Sequence, residues 1–287
     1  MNLQSGKFTV TCELNPPKGI NLEKLIEKAN LLKDSVAAIN ITDSAGSNMT
    51  MAPLAVSHLL AHRDIEPILQ ITGRDRNRIA IQADLLAASA LGITNILTMT
   101  GDPPKHGDHP EAKPVFDLNS TQVLDAINSM QSGKDISGNS LDGNPDFFPG
   151  AVVNPGAKDL NSEFVKMEEK VSSGAKFFQT QAIFDPDALE KFMVTAKQFN
   201  VPILAGIIVL KSSKMANYLN TYIPGISIPE NIIESLDQNN KNIKKESIAI
   251  SVNIIKEIKN ICSGIHIMAI GLENLIPAII DESNIRN

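Results

Sequence analysis

The chain has 287 residues, a formal net charge of −6, 43% hydrophobic residues and only 4% aromatic ones. That length suits a (β/α)8 barrel of roughly 250 residues with small loop insertions, and the Ile, Leu, Val and Ala that must build its core suit layered parallel strands. The negative balance argues against a nucleic-acid groove or an anionic membrane surface as the main partner.

Short apolar runs alternate with runs of helical period from end to end, the pattern of βαβ units around one parallel sheet. Residues 8–12, 36–41, 65–71, 94–101, 147–153, 177–180, 203–210 and 265–270 read as strands. Helices are expected over 22–34, 53–62, 75–91, 120–132, 162–173, 186–199, 212–222, 244–261 and 274–283. Asp185-Pro186 supplies an N-cap with proline at the first helical position. Gly92, Gly174 and Gly264 follow helical runs and precede strands, as terminating glycines do. Two stretches break the rhythm. Residues 133–145 read as a solvated loop, and 224–242, with its prolines and Asn-Asn-Lys-Asn run, as an insertion before the penultimate helix. Neither has the length or apolar content of a second domain, so a single-domain α/β TIM barrel is expected.

Residues 1–7 hold no apolar run that could serve as a signal peptide, and no segment approaches the ~18 apolar residues that span a bilayer. Two cysteines, Cys12 and Cys262, form neither a disulfide framework nor a metal cluster. A soluble, cytoplasmic protein is expected, with Cys12 a small buried residue of the first strand.

Polar residues recur at or soon after the strand ends: Glu13, Thr42, Asp43, Gln70, Thr72, Asp102, Asn154, Gln181, Lys211 and Glu273. In a closed parallel barrel such residues converge on one mouth, where these barrels do chemistry. Glu13 is followed by Pro16-Pro17, a stiff chain that cannot turn helical there. Partly desolvated at a mouth, it could hold and donate a proton near neutrality; alternatively it is a surface Glu at a loop start. In Thr100-Gly-Asp-Pro-Pro104, Gly101 permits close backbone approach to a ligand beside the Asp102 carboxylate, although Asp-Pro is also a common turn starter. Gln181 could anchor a flat heteroaromatic ring without bringing charge, or be an ordinary strand-end residue. Lys166 and Lys170, one helical turn apart, can face a phosphate together or stand as solvated lysines.

No G-x-G-x-x-G opens a helix after a strand, and there is no Walker-type loop and no metal-ligand spacing. His106 and His109 read as exposed loop residues. Of the five histidines only His266, inside the eighth strand, is a candidate for base work.

Three segments in order, Thr11-Cys-Glu-Leu-Asn-Pro-Pro-Lys-Gly19, Thr-Gly-Asp-Pro-Pro-Lys105 and Gly174-Ala-Lys-Phe-Phe-Gln-Thr-Gln181, resemble methylenetetrahydrofolate reductase, most closely its short bacterial single-domain form. The resemblance runs from about Lys7 to Glu273. It implies a flavin-containing TIM barrel that reduces methylenetetrahydrofolate to methyltetrahydrofolate by hydride transfer from flavin N5. Glu13 matches the family's proton donor, Asp102 the Asp beside flavin and pterin, and Gln181 the Gln that contacts the folate ring. Lys211 and Glu273 are further expected substrate contacts. Thr42, Asp43, Gln70, Thr72, Thr100, Gly101, Asn119, Ser120, Asn154, Glu163, Lys166 and Lys170 fall at expected flavin-contact positions.

The chain departs from the family in three places. Gln70 stands for the usual His and Thr100 for the usual Arg, which leaves FMN open beside FAD. Leu210 stands where family members carry the aromatic that stacks on a nicotinamide cofactor. The electron donor is thus NAD(P)H or a partner protein, with a partner subunit or a homo-oligomer as further expectations. A non-redox pterin-binding barrel (methyltransferase or lyase) and a scaffold subunit are the competing classes.

Overall fold

The computed structural model describes residues 6–285, so residues 1–5 of the stretch read for a signal segment lie outside it. Eight strands, β1 (Thr9–Leu14), β2 (Ala38–Ile41), β3 (Pro67–Thr72), β4 (Asn95–Met99), β5 (Phe148–Val153), β6 (Phe177–Ala182), β7 (Ile203–Ile208) and β8 (Gly264–Met268), pair in chain order. β8 closes in parallel on β1, giving the expected (β/α)8 barrel. Around it run α1 (Glu23–Leu32), α2 (Pro53–Ala61), α3 (Arg78–Ala90), α4 (Ser120–Gln131), α5 (Leu160–Ser172), α6 (Pro186–Ala196) and α7 (Ser213–Tyr222). Next come α8 (Glu230–Gln238) and α9 (Ile243–Ile258) before β8, and α10 (Ile276–Glu282) after it. No described helix is long and apolar enough to cross a membrane.

Strand period decides which residues reach the interior. In β1, Val10, Cys12 and Leu14 join the core under the helices, and Thr9, Thr11 and Glu13 alternate with them. Burial pushes the Cys12 thiol far above its usual range, aided by the nearby charges of Glu13 and Glu273, so Cys12 packs rather than reacts. The barrel interior is plugged by Ala38, Ile68, Leu97, Phe177 and Leu204. Above that plug lies a buried polar layer of Thr11, Asn40, Gln179 and His266.

Gly150 is where backbone and ring meet most closely inside the plug. A Cβ there would lie 2.4 Å from the Phe177 ring, which is itself stacked on Phe148 at 5.5 Å between centroids and cannot withdraw. Gly150→Ala is therefore expected to lower unfolding stability by about 1–3 kcal/mol. The measurement is a fall in urea midpoint at unchanged slope.

Most helix starts carry their own signal. Asn119 and Gln122 form a capping box on α4, Asp185 accepts from the amides of Asp187 and Ala188, and Ser212 caps α7. α3 begins at Arg78, later than the expected 75, because Asn77 caps it while Arg74 and Arg76 turn back toward β2. Residues 133–145 form the expected loop, knotted on the Asp135 carboxylate, which accepts from the amides of Ser137 and Asn139. The 224–242 stretch is more than an insertion loop. It contains α8, a nine-residue helix that buries Ile233 and Leu236. The proline and glycine before it and the Asn-rich run after it mask the period. Gly225, at φ +85°, packs on Asn154: a Cβ there would lie 2.2 Å from Asn154 Nδ2.

Candidate active site at the barrel mouth

The βα loops enclose a cavity of about 780 Å³ at the C-terminal ends of the strands. Glu13, Asp102 and Gln181 all line it, as do Thr42, Asp43, Gln70, Thr72, Thr100, Gly101, Asn119, Ser120, Asn154, Glu163, Lys166 and Lys170. Lys211 and Glu273 do not. Lys211 is exposed past the end of β7. Glu273 lies beside a second cavity of about 450 Å³, where it pairs with Lys28 at 3.0 Å and accepts the Gly271 amide at 2.9 Å.

One wall is bolted together around Asp43. Its carboxylate accepts from the Thr72 amide (2.9 Å), the Thr72 hydroxyl (2.8 Å) and both terminal nitrogens of Arg76 (2.7 and 3.0 Å). Arg74, also buried, donates to the carbonyls of Asp43 and Ser44 and to Ser47 Oγ. Ser47 Oγ in turn donates to the Asp102 carbonyl at 2.7 Å, tying the loop after β2 to the loop after β4. Gly101 sits in that seam at φ +91°, 3.1 Å from the Cβ atoms of Thr72 and Arg74 by its own would-be Cβ. Asp43 thus spends its oxygens on the wall itself, and Thr42 spends its hydroxyl proton on Asn15 Oδ1 at 2.7 Å.

The opposite wall carries the cations. Glu163 accepts the Asn154 amide at 2.8 Å and lies 3.8 Å from Lys166 Nζ. Lys170 is buried, donates to the Val152 carbonyl at 2.7 Å, and burial lowers its pKa. The exposed Lys166 and the buried Lys170 therefore meet the cavity differently, although they share one helix face. Gln181 owes its position to an irregularity in the β6–β7 pairing between Gln179 and Ala182, where Thr180 Oγ1 accepts the Gly206 amide at 2.9 Å. Its own Oε1 accepts the Ala182 amide at 3.0 Å.

The floor holds what the sequence left almost unread. His266 is 3% exposed, with Nδ1 2.9 Å from Thr11 Oγ1 and Nε2 3.8 Å from Glu13 Oε2. Beyond Thr11, Gln179 and Asn40 face each other across the barrel through two amide hydrogen bonds, 2.8 and 3.2 Å. The signal in the sequence for this group was the placement of His266 inside the eighth strand. His106 and His109 stay in the loop after β4, with His109 on Asp108, and no described cluster of His, Cys, Asp and Glu could hold a metal ion. Leu210 is buried in the core under the helices, its carbonyl bonded by Ser247 Oγ.

Comparison with known proteins bears on the family and the fold. Methylenetetrahydrofolate reductase 2 of Schizosaccharomyces pombe is 24% identical over 99% of this chain and 46% of its own length. Methylenetetrahydrofolate reductase (NADH) 1 of Arabidopsis thaliana is 25% identical over 89% of this chain and 44% of its own. The chain thus spans about half the length of the curated relatives it matches. Among solved structures, an uncharacterized protein from Clostridium thermocellum that binds two copies of 5-methyl-5,6,7,8-tetrahydrofolic acid superposes with a TM-score of 0.66. It is 18% identical, covering 99% of this chain and 97% of that one. EDTA monooxygenase from Chelativorans shares the fold at a TM-score of 0.56 and 9% identity. The family model for methylenetetrahydrofolate reductase matches residues 1–284, and the chain belongs to that family.

Proposed function

We propose that this chain reduces 5,10-methylenetetrahydrofolate to 5-methyltetrahydrofolate on a bound flavin, with Glu13 as the general acid. One observation carries the reading: an acid from β1, a carboxylate after β4 and an amide from β6 line a single cavity. Its volume of about 780 Å³ is within the ordinary range of small-molecule sites. The folate found in the Clostridium thermocellum neighbour supports the substrate class.

The residues present fit a flavin. The β2–β4 wall offers hydroxyls and an amide (Thr42, Gln70, Thr72, Thr100) to a polar ring edge, and Lys166 and Lys170 offer positive charge for a phosphate. FAD is the first choice by family, with FMN as the alternative because Gln70 and Thr100 bring no cation. The bound flavin supplies the hydride. The chain's own groups do the rest. Opening the one-carbon bridge needs a proton on the departing nitrogen, and Glu13 holds it. The cationic carbon that results is favoured by the Asp102 carboxylate, while Gln181 orients the pterin without adding charge.

The donor is better read as a partner protein than as tightly bound nicotinamide. Leu210 is buried with its carbonyl engaged, so that position offers no aromatic surface for stacking. Denaturing the purified, yellow protein should release a flavin identifiable by mass. In stopped flow the chemically reduced protein should be reoxidised by methylenetetrahydrofolate, and NADH alone should reduce it only slowly. A colourless protein that binds folate would favour the non-redox class instead. Fast reduction at low micromolar NADH would overturn the donor assignment.

A further inference from the structure

We infer that Gln179 and Asn40 are positioning residues for the proposed reduction: their amide pair decides which nitrogen of His266 carries its proton. The inference rests on the reading of Glu13 as the acid. Gln179 projects from the middle of β6, in register with Val152 and Leu204, and spends its amide on Asn40 and Thr11. Gln179 is 2% exposed at the bottom of the mouth cavity and Asn40 is fully buried, and each amide finds hydrogen-bond partners in the protein.

The direction of the chain follows from donor counting. A threonine hydroxyl has one hydrogen to give. Gln179 Nε2 donates to one lone pair of Thr11 Oγ1 at 3.4 Å, which leaves the hydroxyl hydrogen for the other polar contact of that oxygen, His266 Nδ1, 2.9 Å away. The imidazole proton then sits on Nε2, the nitrogen that faces Glu13 Oε2 at 3.8 Å. An N–H in that place favours the ionised carboxylate that remains once Glu13 has given up its proton. Turning both amides over together would preserve their mutual bonds, yet it would present Gln179 Oε1 to Thr11 and reverse every donor above it. Nδ1 would then carry the proton and a lone pair would face Glu13. Two neutral amides thus set the polarity of the imidazole–carboxyl pair above them.

Long-range proton–nitrogen NMR on histidine-labelled, flavin-loaded protein reads this directly, with the His266 signal assigned by its loss in His266→Gln. The expected result is an unprotonated Nδ1 and a protonated Nε2 in the wild type. In Gln179→Glu the new carboxylate can only accept, so the Thr11 hydrogen turns toward it and Nδ1 gains a proton. In Gln179→Met, which keeps the volume without a buried charge, the single-tautomer signature is lost. Both variants should slow flavin reoxidation by methylenetetrahydrofolate on the order of tenfold, less than loss of the acid itself. Flavin reduction should be unchanged. A protonated Nδ1 in the wild type, or a bare Nδ1 kept in both variants, overturns the inference. If the wild type fails to reduce methylenetetrahydrofolate, the proposed function falls, while the nitrogen signals still decide the tautomer.

Discussion

Replacing Glu13 with Gln is expected to slow methylenetetrahydrofolate reduction by about 10²–10⁴ while the flavin stays bound. The substitution keeps size and shape and removes only the transferable proton. Glu13 sits in β1 with a side chain 20% exposed to the cavity, held by strand pairing rather than by a flexible loop, so Gln has little room to relocate. His266 on β8 lies 3.8 Å from Glu13 and also borders the cavity, so a loss well below this range would assign it part of the delivery. The measurement is single-turnover reoxidation of the reduced flavin by the folate. The loss should fall on the chemical step, with little change in folate affinity, because an interaction made only in the transition state lowers kcat rather than raising KM. A Glu13→Gln protein that reduces folate at the wild-type rate would remove the acid assignment. The cavity and the proposed flavin contacts on its wall would stand unaffected.

The barrel was legible in the sequence because alternating periods are a local property, and the mouth because strand ends converge by construction. That is why the sequence alone points Glu13, Asp102 and Gln181 to one mouth, whose cavity all three line. Three features were not legible, each for a physical reason. The partnership of His266 with Thr11 joins residues 255 positions apart across the closing seam of the barrel, and no local pattern encodes it. α8 lay hidden because a nine-residue helix shows only two buried positions, too few to outweigh the flanking breakers. Lys211 and Glu273 were placed by proximity to a strand end alone. Distance past the strand does not fix direction, and the short helical turn beginning at Glu273 sends its carboxylate to Lys28 instead.

Asp43 separates contact from support, and its replacement is the second large effect expected. Its carboxylate is 3% exposed and binds Thr72 and Arg76 together, so Asp43→Ala strands a largely buried guanidinium and two donors on Thr72. Breaking a buried ion pair from one side typically costs about 3–5 kcal/mol. Here Arg76 is 20% exposed and keeps Asp84 at 2.9 Å, which places the expected loss at or just below the bottom of that range, about 2–3 kcal/mol. Urea unfolding of the variant measures it. The same change should loosen flavin retention, because Thr72 loses the acceptor that orients its hydroxyl. If Asp43 acts through Thr72, then Asp43→Ala and Thr72→Val should weaken flavin binding by amounts that do not add in the double variant. Full additivity would mean that the carboxylate reaches the cofactor independently, which four protein hydrogen bonds on its two oxygens leave little capacity to do.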